Sequence, residues 1–153
     1  MAIYDQGLAL RMLHLGIKVD RATATLPQTT AAAIFTITGG RIILTSIVGE
    51  VTTIIQTQAN NTKLTSNPTT GTSVDMCAVL DISADEVGCL YGITGVPATA
   101  MVGTNAGLTP HMYNFQVLPI GAIDLDCAAS NTGSVKWTLT YVPLDDGASV
   151  AAA

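Results

Sequence analysis

Charge is scarce in this chain. Of 153 residues only 11% are Asp, Glu, Lys or Arg, against about 25% in an ordinary soluble domain. The 6 basic residues are outnumbered by 11 acidic ones, which gives a formal net charge of -5 and a pI near 4.6. An acidic chain whose few Lys and Arg are scattered lacks the electrostatic footprint of a nucleic-acid groove or of a protein bound to an anionic membrane. Neither partner is expected. Aromatic residues make up only 5%. Mean hydropathy is high at +0.46, yet no run reaches the roughly 18 uninterrupted apolar residues that a spanning helix requires. The most apolar windows, Ile42–Val48 and Cys89–Val102, are broken by Thr, Ser, Gly or Pro. The first residues carry Asp5 and no basic cluster, so no signal peptide is expected.

Chemistry-bearing residues are equally sparse. Cys77, Cys89 and Cys127 form no CxxC pair, and His14 and His111 lie far from all of them in sequence. That spacing does not suit zinc. It reads as three small buried thiols in a protein made in a reducing cytosol, with a Cys77–Cys89 bridge across neighbouring strands left open. No GxSxG elbow or GK[ST] loop occurs, and a lone histidine carries no catalytic geometry. Asp124 and Asp126 stand two apart on a predicted strand and so share one face. A calcium site or an acid–base pair would use such a pair. Alternation with Ile123 and Leu125 makes a solvated face the simpler reading. Trp137 and Tyr141 alternate with Leu139, which suits a core strand better than an aromatic platform for sugar. No catalytic, cofactor or metal residue is assigned.

What the chain does have is β-forming sequence. It holds 22 threonines, and β-branched residues fit a pleated surface. From Ala32 onward, eight or nine short apolar or alternating runs are separated by turn signals. Among these signals are Gly39-Gly40, which suits a tight hairpin, and Asn131-Thr132-Gly133. Gly49 reads as a bulge and Ser73–Ser83 as one strand, whereas Thr94–Pro110 reads as a loop. The expected fold is all-β: a single antiparallel sandwich, jelly-roll-like, over residues 31–144, with a flexible tail over 145–153. Residues 1–30 are expected to be an extended N-terminal arm and linker. Within them Leu8, Met12 and Leu15 keep helical spacing while Leu13, Leu15, Ile17 and Val19 alternate as a strand would, so a two-turn helix is the runner-up. Arg21–Thr30, polar and proline-containing, suits a hinge or an exposed edge. Leu8, Leu10, Met12, Leu13, Leu15 and Ile17 are too much apolar surface to leave in water, and they mark the arm as a docking element.

The runs LHLGIKVDRATATLPQTTAAAIFTITGGRIILTSIVGEVTTIIQTQAN, DMCAVLDISADEVG and GSVKWTLTYVPLDDGASV resemble small structural proteins of tailed bacteriophages. The resemblance spans about Leu13 to Val150 and weakens through the central Thr/Asn/Gly-rich loops. It implies a non-enzymatic virion component and, at this size, a capsid decoration or cement subunit, commonly a homotrimer. Its implied partners are the major capsid protein and further copies of itself. Its implied location is the outer surface of the capsid, after synthesis in the host cytoplasm. The competing expectation is a tail or receptor-binding component with a lectin-like sandwich, whose Gly/Thr/Asn loops contact host sugar or protein.

Overall fold

The computed structural model describes residues 3–103 and 107–153, the first three by backbone alone. One helix, α1 (Ile3–Leu15), precedes eleven strands: β1 (Ile17–Thr25), β2 (Ala31–Thr38), β3 (Ile42–Thr53), β4 (Asn61–Pro68), β5 (Val74–Asp75), β6 (Leu80–Asp81), β7 (Leu90–Gly92), β8 (Gln116–Leu118), β9 (Gly121–Cys127), β10 (Ser134–Pro143) and β11 (Ser149–Ala152). They form two sheets. The front sheet runs β1-β10-β3-β7, with β8 also paired to β3; the back sheet runs β11-β2-β9-β4-β5, with β6 also paired to β4. Every pairing of named strands is antiparallel. The chain is an all-β antiparallel sandwich, as its alternation predicts.

The alternation places the core. In β10, Val135, Trp137, Leu139 and Tyr141 point inward while Lys136 and Val142 are exposed. In β9, Ile123, Leu125 and Cys127 do the same for the back sheet. Between the sheets they meet Phe35, Ile37, Leu44, Leu64 and Tyr91, all buried. Few polar groups enter, and one of them is a phenol paired with a carboxylate. The Tyr91 hydroxyl donates to Asp85 Oδ2 at 2.6 Å, and burial together with that carboxylate pushes the phenol far above its ordinary range.

Gly49 is not a bulge. Strand β3 runs unbroken past it, and Gly49 stands directly opposite Trp137. A Cβ at Gly49 would lie 2.9 Å from two carbons of the indole ring. The glycine is there because the largest core side chain uses the space a side chain would fill. The front sheet's irregularities fall elsewhere, between Thr140 and Tyr141 for example.

Four expectations need correction. Residues 1–30 are not an extended arm with a linker: α1 is followed at once by β1, which pairs with β10 from Ile17↔Tyr141 to Thr25↔Ser134. The helical spacing belongs to α1, whereas the alternating set is divided at Gly16, with Leu13 and Leu15 on α1 and Ile17 and Val19 on β1. Gly16 takes the left-handed conformation (φ 85) and donates its N–H to the Met12 carbonyl at 3.0 Å, a helix C-cap. The sandwich therefore begins at Ile17. Residues 145–153 are not a loose tail either. Asp145 accepts from Arg41 Nε at 2.8 Å and from Nη2 at 2.7 Å, and β11 adds to the edge of β2 with Val150 buried. Gly39-Gly40 turns a corner between sheets and not a hairpin, because β2 and β3 lie in opposite sheets. Ser73–Ser83 forms only β5 and β6, with Met76 and Cys77 buried between them. Of the Thr94–Pro110 loop, residues 104–106 lie outside the described residues.

Gly49→Ala tests the Trp137 contact. In a strand this change normally gains a little stability, since glycine there is unfavourable by roughly 0.5–1 kcal/mol. Overpacking against the indole reverses the sign, with an expected loss of about 1–3 kcal/mol. Denaturant unfolding at constant m-value measures it, and a stabilised Gly49→Ala protein would refute the packing argument.

Candidate interaction surface

α1 is built from good helix formers, Leu, Ala, Met, Gln and Arg, interrupted by Gly7. Its apolar side chains do not collect on one face, and this is what sets it apart. Leu8 is 46% exposed, Leu10 56%, Met12 50% and Leu13 79%, with Arg11 and His14 exposed among them. Among the described side chains of α1 only Leu15 is half-buried, at the base where α1 meets β1 and β10. There the Thr45 hydroxyl is within 2.5 Å of the Leu15 carbonyl and within 2.7 Å of Thr140 Oγ1, both inside hydrogen-bonding distance. A helix apolar all round is ordinarily a buried one, and thirteen residues are near the lower limit for a helix without tertiary support. Of the six residues expected to form the arm, five stand on α1. Ile17 belongs to the sheet, opposite Tyr141.

A second apolar feature lies at the other side of the front sheet. β8 is paired on one edge only, to β3, and β5 on one edge only, to β4. Between these two strands, one from each sheet, the sandwich opens into a cleft of about 440 Å³. Val74, Val117, Pro97 and Pro119 line it together with Met76 and Leu118, which are buried. Its one charged lining residue is Asp75, paired with Lys63 Nζ at 2.8 Å. Gln116 spans the wall, giving its amide hydrogens to the carbonyls of Met76 at 3.0 Å and Gly95 at 3.3 Å. Its Oε1 is buried and has no donor. Beyond the cleft, Phe115 and Tyr113 stand exposed, as does Val117. The alternation of Tyr113, Phe115 and Val117 reads as one strand face in the sequence, but strand β8 starts only at Gln116, so Tyr113 and Phe115 lie in the segment before it. The turn-rich stretches around them concealed that the face has no cover.

The remaining candidates resolve without a site. His14 and His111 are exposed and in separate parts of the chain. Asp124 and Asp126 do share the outer face of the back sheet. Asp126 lies 3.9 Å from Lys63, whereas Asp124 is only 7% exposed and accepts from Asn67 Nδ2 at 2.9 Å. Trp137 is buried against Tyr91, ring centroids 6.4 Å apart, so it offers no face to a sugar. Among the described residues no three His, Cys, Asp or Glu side chains gather as metal ligands, and no helix is long and apolar enough to cross a membrane. The three cysteines are buried and none is in a disulfide, so the Cys77–Cys89 bridge is not formed. Burial pushes the Cys77 and Cys127 thiols above their usual pKa.

Two outcomes follow. Deleting residues 2–15 removes little but the α1 base, and Thr45 keeps Thr140 as partner. Unfolding should shift by about 1 kcal/mol, or roughly 2–4 °C, with the β circular dichroism intact; a chain that no longer folds would make α1 part of the core. Thiol reagents at mildly alkaline pH should label none of the three cysteines in the native protein and all three after denaturation. Rapid native labelling of any one would show that the sandwich opens there.

No family model, curated protein or solved structure matches this chain.

Proposed function

We propose that this protein is a non-enzymatic virion structural protein of a tailed bacteriophage, a capsid decoration subunit that binds and stabilises the lattice of the major capsid protein from outside. The observation that carries this reading is α1: an apolar helix held out in solvent by a stiff sandwich is the surface of an assembly component. The low charge agrees with it. Four of the six basic residues pair with acids, Lys18–Asp20, Arg41–Asp145, Lys63–Asp75 and Lys136–Glu50, which leaves a sparsely charged exterior suited to packing by area. The strand order supports the finer reading of the sandwich as a jelly roll. β1-β10-β3-β7 faces β2-β9-β4-β5, and the chain changes sheet at every connection between named strands except β4–β5, β5–β6 and β7–β8, the pattern of two nested Greek keys. Jelly rolls recur in viral capsid and lectin domains. Self-association, as a homotrimer, completes the proposal, because symmetric contacts cover apolar surface that a lone subunit exposes.

A tail or receptor-binding role is the second reading. Exposed Tyr113 and Phe115 favour it, since aromatic rings without cover stack on apolar sugar faces. Electron microscopy of assembled particles tests both readings together. Sandwich density on the outside of the capsid is the expected result. Density on the tail, with glycan binding lost in Tyr113→Ala, would transfer the function to the second reading, and absence from the particle would end both.

A further inference from the structure

Each copy carries one apolar helix that its own body leaves uncovered and one apolar cleft that its own chain leaves open. We propose that α1 of one copy seats in the β5–β8 cleft of the next, head to tail, and that the contact repeated by rotation closes into a ring. The inference rests on the preceding reading only for the existence of an oligomer, and it names the two surfaces that meet.

The copy's own cleft is not covered by its own helix. α1 leaves the body at β1 and β10, whereas β8 lies on the far side of β3. With its last turn fixed by the Gly16–Met12 hydrogen bond and its Leu15 carbonyl held at Thr45, the helix keeps Leu8, Leu10, Met12 and Leu13 exposed. A second copy is free of that fixed placement.

Chemistry matches the two surfaces. Leu10 and Leu13, three apart, share a stripe and are the most exposed apolar side chains of α1. The other stripe, Leu8–Met12–Leu15, leads back to the half-buried base. Helices dock in grooves through such i, i+3 anchors, and the cleft offers Val74 and Val117 as rims with Met76 and Leu118 as floor. The polar groups are complementary as well. The cleft presents one negative group, the Asp75 carboxylate, which stays half-exposed although it is paired with Lys63. The helix brings donors, Arg11 and His14, flanking the Leu10–Leu13 stripe. Head-to-tail contacts that close give rings in which every helix and every cleft is occupied, so one junction covers both apolar surfaces of each subunit.

Sedimentation velocity on the full chain at micromolar concentration tests the junction. The wild type should sediment as a closed oligomer, and Leu13→Asp and Val117→Asp should each give monomers with unchanged circular dichroism. Mixing the two variants should restore a dimer and no larger species, because one intact helix then meets one intact cleft. A monomeric wild type would overturn the proposal. So would an intact oligomer in Val117→Asp beside a dissolved one in Leu13→Asp, which would show helices pairing with helices. Should Val117→Asp fail to fold, the double variant Leu13→Cys, Val74→Cys gives an independent reading. The native thiols are buried, so mild oxidation should yield disulfide-linked oligomers on non-reducing gels, and monomer bands alone would refute the contact. Binding to capsid shells is measured separately: loss of decoration with the oligomer intact would count against the capsid role and leave this junction standing.

Discussion

The sandwich depends on one close approach: the Trp137 indole of β10 lying flat against a stretch of β3 backbone that carries no side chain. Because Gly49 leaves that space, β10 can sit centrally in the front sheet with its largest side chain pointed into the core. It then bonds β1 on one side and β3 on the other. Its inward row of Val135, Leu139 and Tyr141 follows from the register that the contact selects, since a slip of one residue would turn every core side chain to solvent. Tyr141 in turn places its hydroxyl 3.3 Å from the Val150 backbone nitrogen, tying the last strand of the back sheet to the centre of the front one. The two sheets are thus coupled through β10 more than through any loop.

Local pattern made some of this visible in the sequence. The alternation in β9 and β10 declares itself because each strand has one wet face, and Leu118-Pro119 ends β8 because proline cannot carry a ladder bond. Other features are invisible to any window of neighbouring residues. Gly39-Gly40 announces a change of direction but not whether the chain turns within a sheet or between sheets. β11 is small and bland, and it exists because its backbone finds β2 and because Arg41 holds Asp145, 104 residues away. The arm's residues were legible and its conformation was not, since one glycine at position 16 divides a helical pattern from an alternating one. The cleft was not legible at all. Its walls come from segments some 40 residues apart, joined by Gln116 and Met76.

Sparse charge also shapes how such a surface meets a partner. With most basic side chains already matched to carboxylates close by, the net charge of -5 is what acts at long range, and salt screens it within a Debye length, about 8–10 Å at physiological salt. Association with a partner of low charge then proceeds at the ordinary rates set by orientation, and complexes persist through slow dissociation from well-fitted apolar contacts. In the interior, the Tyr91 phenol donates to Asp85, and burial favours the neutral thiols of Cys77 and Cys127.

The junction at Gly16 has a geometric consequence. A single residue in the left-handed conformation joins helix to sheet, and any side chain there would collide with the Tyr141 carbonyl 2.1 Å from its Cβ. α1 extends roughly 20 Å from this point, so it behaves as a lever whose fulcrum is one pair of backbone torsions. A tilt of about 10° at the fulcrum becomes a displacement of roughly 3–4 Å at the tip. In any assembly joined through α1, the angle between neighbouring subunits, and with it the curvature of the whole, is written in the φ and ψ of one glycine.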